Sequence, residues 1–218
     1  MCFSATVSFI AGVSLTILGV ATVRMTKSKT HIPFAMIPLL FGVQQLVEGV
    51  LWLSFKFEAT LLNVAMTYLF VLFSHVLWPI YVPFSVGFLE SVAWRKKMIL
   101  MFQFIGGAVG LYLLYSMMRF PVISKIDENM VYVLPYVREH PVLDLYLAAT
   151  CIAPLFSSHI HIRIFGVLTF LLFIVAAWFY TVALFSVWCF FAAILSVIIY
   201  LHFKLLNERS YLATQLNS

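Results

Sequence analysis

The sequence predicts an all-α fold: a polytopic membrane protein, a bundle of seven transmembrane helices with the N-terminus outside and the C-terminus in the cytoplasm. Three observations predict it. Of the 218 residues 64% are hydrophobic and only 10% charged, where an ordinary soluble domain has roughly a quarter of its residues charged, so the chain cannot cover itself with polar surface. Apolar runs of about 20 residues recur, each long enough as a helix to cross a hydrocarbon core ~30 Å thick. The 13 Lys and Arg residues fall in short clusters between these runs, where they read as topology signals and offer no basic domain for nucleic acid.

The helices are expected at 5–23, 33–54, 61–86, 98–117, 142–158, 164–183 and 185–206. Polar breaks make the cuts: RMTKSKTH closes the first helix, KFEAT the second and WRKK the third, whereas only LFSV parts the last two. The whole chain, 1–218, reads as one domain, with an outer loop at 118–141 and a cytoplasmic tail at 207–218. Orientation follows from Lys and Arg, which are retained in the cytoplasm when they flank helices. Arg24, Lys27, Lys29, Arg95, Lys96, Lys97, Arg163, Lys204 and Arg209 fall on one side, and Lys56, Arg119, Lys125 and Arg138 on the other.

The long outer loop contains MVYVLPYV, apolar enough to hug the headgroup layer with Tyr132 and Tyr136 as interfacial anchors; a lid is the alternative. The glycines of GGAVG at 106–110, and Ser8 with Gly12, have small-xxx-small spacing and are expected to be close helix-packing faces. Cys2, Cys151 and Cys189 form no even framework, so no structural disulfide network is expected. MCFSATVSF lacks the basic start of a cleavable signal peptide.

Chemistry concentrates in LLFGVQQLVEGVLW, residues 39–52. A carboxyl group among apolar helices is costly unless paired, protonated or wet, so Glu48 is a functional-site hypothesis by default. Gln44 and Gln45 precede it by four and three residues, one helical turn, and Trp52 continues the same face. Their amides are expected to hydrogen-bond Glu48 in either charge state. His75 lies mid-helix in LFSHVLWP; Pro79 and Pro83 remove backbone donors on the following turns, which predicts a kink and open polar backbone beside the imidazole. Asp144 opens the fifth helix, where an acid complements the helix dipole, and falls on the outer side with Glu48. Cys2 at the outer interface is a nucleophile or metal ligand only if a neighbour such as His75 or Glu48 lowers its pKa. A divalent metal ion held by Glu48 and His75 is one candidate occupant of this constellation. On the inner side SSHIHIR carries His159 and His161, with His31 and His202 near the same surface. An H-x-H pair diverges by roughly 200° on a helix, so a metal there requires loop geometry and a ligand from another segment.

The absence of a lysine from the middle of the last helix argues against a retinal-type Schiff base. No G-x-S-x-G, phosphate-cradling glycine loop or H-E-x-x-H occurs, so soluble-type hydrolase and ATP-driven readings lack support. The opening MCFSA and the pattern Q-Q-x-x-E-G-x-x-W of QQLVEGVLW resemble a family of uncharacterised bacterial multi-helix membrane proteins, a domain of unknown function. The resemblance implies that Cys2, Ser4, Gln44, Gln45, Glu48, Gly49 and Trp52 belong to a recurring pattern and that the chain resides in a bacterial inner (cytoplasmic) membrane. It implies no activity. Three readings follow. A binding or transport-type protein, taking a proton, metal ion or small polar ligand at Glu48, requires a wet cavity there. A membrane enzyme acting on a lipid or lipophilic substrate requires Cys2 within reach of His75 or Glu48 as general base. A structural protein requires every polar atom paired in a dry interior. The lipid bilayer is the expected partner in each.

Overall fold

The computed structural model describes residues 4–127, 129–133 and 140–216, with the side chains of residues 140 and 209–216 excepted. It is almost wholly helical. Seven helical segments follow in order: α1 (Ala5–Arg24), α2 (Lys29–Lys56), α3 (Thr60–Leu89), α4 (Ala93–Arg119), α5 (Pro141–Phe156), α6 (Ile160–Phe179) and α7 (Leu184–Glu208), the last continuing as helix to residue 216. Six of them are long and apolar enough to cross a membrane; α5 is shorter, spanning about 24 Å at 1.5 Å per residue.

Several boundaries move. Trp94–Lys97 do not break the chain: they form the first turn of α4, entered from the extended backbone of Val92. The α6–α7 junction lies at residues 180–183, so LFSV is the first turn of α7. The larger difference is in the outer loop. Residues Ile123–Asp127 (β1) and Asn129–Val133 (β2) pair antiparallel as a hairpin, with Ser124 opposite Tyr132 and Ile126 opposite Met130. The β-branched residues of both strands suit an extended backbone. Met130 and Val131 are buried, Ser124 bonds Thr67 of α3 at 2.7 Å, and the Val122 amide donates to the Tyr68 hydroxyl. The segment is thus seated on α3 by specific contacts. Tyr132 is not an outward anchor: its ring stacks on Phe70 with centroids 4.4 Å apart. Tyr136 lies outside the described residues.

Helix packing uses glycine as its spacing implies. A Cβ on Gly12 would meet Leu46 of α2, one on Gly42 would meet Thr16 of α1, and one on Gly106 would run into the carbonyl of Pro79 on α3. Gly110 sits against Val76 and Ile80, whereas Gly107 faces open space. Gly106 and Gly110, one turn apart, therefore bring the α4 backbone onto the stretch of α3 that its prolines interrupt.

That stretch is a π turn, Leu72–Leu77. The Trp78 N–H reaches back five residues to the Phe73 carbonyl, and in this register the Ser74 carbonyl would pair with residue 79, which as proline has no N–H. The hydroxyl of Tyr146 on α5 donates to it instead. Sequence pattern foretold a kink at His75; the wider turn and its foreign donor are how the chain accommodates it.

Contacts sort the helix ends into two groups. At one end Arg95 donates to the carbonyls of Phe156 and Ser157, and Asn207 donates to that of Met25. The hairpin and the α3 residues Asn63 and Thr67 form the other.

Candidate functional site

Glu48 is fully buried, as are Gln44 and Gln45 on the same helix. One carboxylate oxygen, Oε1, accepts a 2.7 Å hydrogen bond from Ser186 of α7 and a longer one, 3.5 Å, from Tyr132 of the hairpin. Three separate elements therefore meet at this group. Ser186 lies in the first turn of α7, and three residues on, along the same face, Cys189 comes within interaction distance of both Gln44 and Glu48.

The expected pairing of the glutamine amides with Glu48 does not form. Gln44 turns to α3, where its Oε1 accepts the Trp78 indole N–H at 2.8 Å; Trp78 in turn stacks on Phe41 with centroids 4.0 Å apart. Both amide atoms of Gln45 and the indole N–H of Trp52 are buried without hydrogen-bond partners among the described residues, whereas the other side of the Gln44 amide faces the Cys189 thiol. Trp52 packs beside Leu51, Met130 and Tyr132, so it does continue the Glu48 face toward the hairpin.

His75 is buried at the π turn, its Nδ1 2.7 Å from the Ser74 hydroxyl and its Nε2 without a partner among the described residues. Its ring lies 4.2 Å from that of Phe185. Phe185 and Ser186, adjacent in α7, thus face His75 and Glu48 respectively. A small, mostly apolar cavity of about 30 Å³, lined by Phe41, Trp78, Val82, Tyr146, Phe165 and Cys189 among others, lies beside Trp78 and Cys189; Gln44, Gln45, Glu48 and His75 do not line it.

The remaining sequence candidates separate from this cluster. Asp144 is exposed on α5, while Tyr146, two residues on, points inward. Cys2 lies outside the described residues. Among the described residues no group of three or more His, Cys, Asp or Glu has the geometry of a metal site, so the placement of a metal on Glu48 and His75 gains no support. Residues absent from the sequence-based set are Ser186, Cys189, Tyr146 and Glu90. The i, i+3 spacing of Ser186 and Cys189 on one face of a helix was a usable signal for the first two.

Glu90 joins the other end together. It is buried at the α3–α4 junction, accepting from the Val92 amide at 2.9 Å and from the Ser158 amide at 2.6 Å. Burial alone would raise its pKa, but these two amides, with the nearby His159, hold the carboxyl below the ordinary value for glutamate. Beside it, His159 precedes α6 in extended backbone, so the divergence of an H-x-H pair on a helix does not apply.

Fold and site together define a helical protein with six segments suited to span a membrane and a carboxylate buried where two helices and a hairpin converge. The chain belongs to DUF6629, a family of unknown function, whose model matches residues 1–213. No curated protein and no solved structure matches it.

Proposed function

We propose that the chain is an integral membrane protein of the binding or transport type, with the hairpin end outside and the C-terminus in the cytoplasm, and that Glu48 is its charge-bearing group. Large apolar side chains stand exposed along its helices, among them Ile10, Phe104, Trp178 and Phe179, which suits lipid contact and is rare on a soluble monomer. The Lys and Arg bias supplies the orientation.

One observation carries the reading of the site. Around a fully buried carboxylate lie polar atoms of Gln45, Trp52 and His75 with no partner among the described residues. Each such atom costs about 1–3 kcal/mol if it stays unsatisfied. A bundle selected only for packing has no use for that cost, whereas a site that takes up water, a proton or a small polar solute offsets it. The amide N–H groups and the indole N–H favour a ligand rich in acceptor oxygens, and Glu48 with Ser186 and Tyr132 supplies the proton-carrying end.

The test is infrared difference spectroscopy of the purified protein in lipid, recorded through a pH titration. A carboxylic acid C=O band that titrates and is lost in Glu48→Gln is the expected result. A difference spectrum unchanged by that substitution would sink the reading.

A further inference from the structure

Four histidines from three separate stretches of the chain gather at the end of the bundle opposite the hairpin. His159 and His161 flank the start of α6, His202 lies on α7, and His31 opens α2 with its ring 5.9 Å from Phe203. The His159 and His161 rings lie 5.2 and 5.4 Å from the ring of His202, and His31 is close enough to His159 and His202 to interact electrostatically. His161 Nδ1 and His202 Nδ1 are 3.4 Å apart. A groove of about 240 Å³, lined by Ser158, His159, His161, His202, Leu205 and Leu206 among others, opens beside them.

Two imidazole nitrogens bound to one tetrahedral metal ion at about 2.0–2.1 Å stand roughly 3.3–3.4 Å from each other. The His161–His202 separation has that value before any rearrangement. In the absence of an ion, two neutral rings meet at this distance with one Nδ1–H donating to the other Nδ1. Of the two histidines in the H-x-H sequence, His161 is in the first turn of α6 and His159 stands in extended backbone before it, and His202 comes from another segment.

We propose that this end of the protein binds a divalent transition ion of the imidazole-preferring class, Zn²⁺ foremost, between His161 Nδ1 and His202 Nδ1. Among the described residues no three ligand side chains are already converged on one point; His159 reaches the ion by rotation of its side chain from the cap of α6, and water from the groove completes the shell. Thiolates are absent from the cluster, and Glu90 is engaged by two backbone amides, so nitrogen is the donor type the site offers. Metal occupancy would clamp α6 to α7 and, through the cap position, to Glu90 at the α3–α4 junction.

The experiment is Zn²⁺ binding by the full-length protein in detergent, measured by equilibrium dialysis, with Co²⁺ ligand-field absorption as a second readout. Wild type, His161→Asn, His202→Asn and the double variant are compared, with Glu48→Gln as a distant control and His202→Cys as a variant that keeps a ligand at the position. One ion per chain, bound at least about 10-fold more weakly in each Asn variant, retained by His202→Cys and unaffected by Glu48→Gln, is expected. The Co²⁺ spectrum should gain a thiolate charge-transfer band in His202→Cys. Wild type that binds no Zn²⁺ at micromolar free metal, or a helical double variant that binds as wild type does, overturns the proposal.

Discussion

The Glu48 centre and the histidine cluster are built at opposite ends of the same bundle and by opposite means. At Glu48 a run of polar residues on one helix, Gln44 to Trp52, is enclosed by hydroxyls and aromatic rings delivered from α3, α7 and the hairpin. At the other end no single helix carries the site: residues 31, 159, 161 and 202 meet where helix ends are also tied together by Arg95, Glu90 and Asn207. The first is buried and holds polar atoms without partners among the described residues; the second is open to a groove and brings two imidazole nitrogens within 3.4 Å of each other. A polar group deep in a bundle needs the fold to close around it, while one at a helix end needs the fold only to bring chain ends close.

The closest helix–helix approach in the bundle should show the largest effect. Gly106→Ala places a methyl group against the Pro79 carbonyl, backbone that cannot move aside as a side chain would, and is expected to cost about 3 kcal/mol, the top of the usual overpacking range. Gly107→Ala, facing open space inside the same helix, should instead stabilise by about 0.5–1 kcal/mol. Comparing their thermal unfolding in detergent checks this, and equal effects would deny that the α3–α4 approach is tight. Next in size, Ser186→Ala removes the shorter donor to Glu48 and should cost about 1–2 kcal/mol, while leaving Zn²⁺ binding at the other end unchanged. Loss of both would mean that the two ends are one cooperative unit.

The smallest effect concerns pH. Glu90 has a folded-state pKa below its ordinary value, so its contribution is fully present above that value, about 4.5, and is lost as pH falls through the folded-state value. Wild type should therefore lose stability on acidification in that window, and Glu90→Gln should lose less. Stability curves of the two proteins that run parallel below pH 4.5 would remove Glu90 from the account.

The same contrast explains what was legible in the sequence. Helices announce themselves through long apolar runs, and the Gln44–Glu48 face through spacing on one helix, because both are local in the chain. The glycine faces were legible for the same reason. What the sequence hid was contact across elements: Ser186 as the donor to Glu48, Tyr146 as the donor to Ser74, and His202 as the partner of His161. The hairpin was missed because MVYVLPYV reads equally as an interfacial segment; its pairing is decided by Ser124, Thr67 and Asn63, which belong to two elements. Gln44 is turned toward Trp78, on a different helix, whose indole N–H donates to its Oε1.

Tyr132 gives the hairpin a standing that a surface loop lacks. Its ring rests on Phe70 while its hydroxyl reaches Glu48, so a segment of peptide at the rim shares in the free energy of a group inside. Coupling of this kind is reciprocal: whatever changes the charge or occupancy at Glu48 must change, by the same amount, the work of lifting β2 from its seat. Amide exchange at Met130 and Val131 then becomes an external readout of events in the interior, and a protein or ligand that grips the hairpin from outside acquires leverage on Glu48 without entering the bundle.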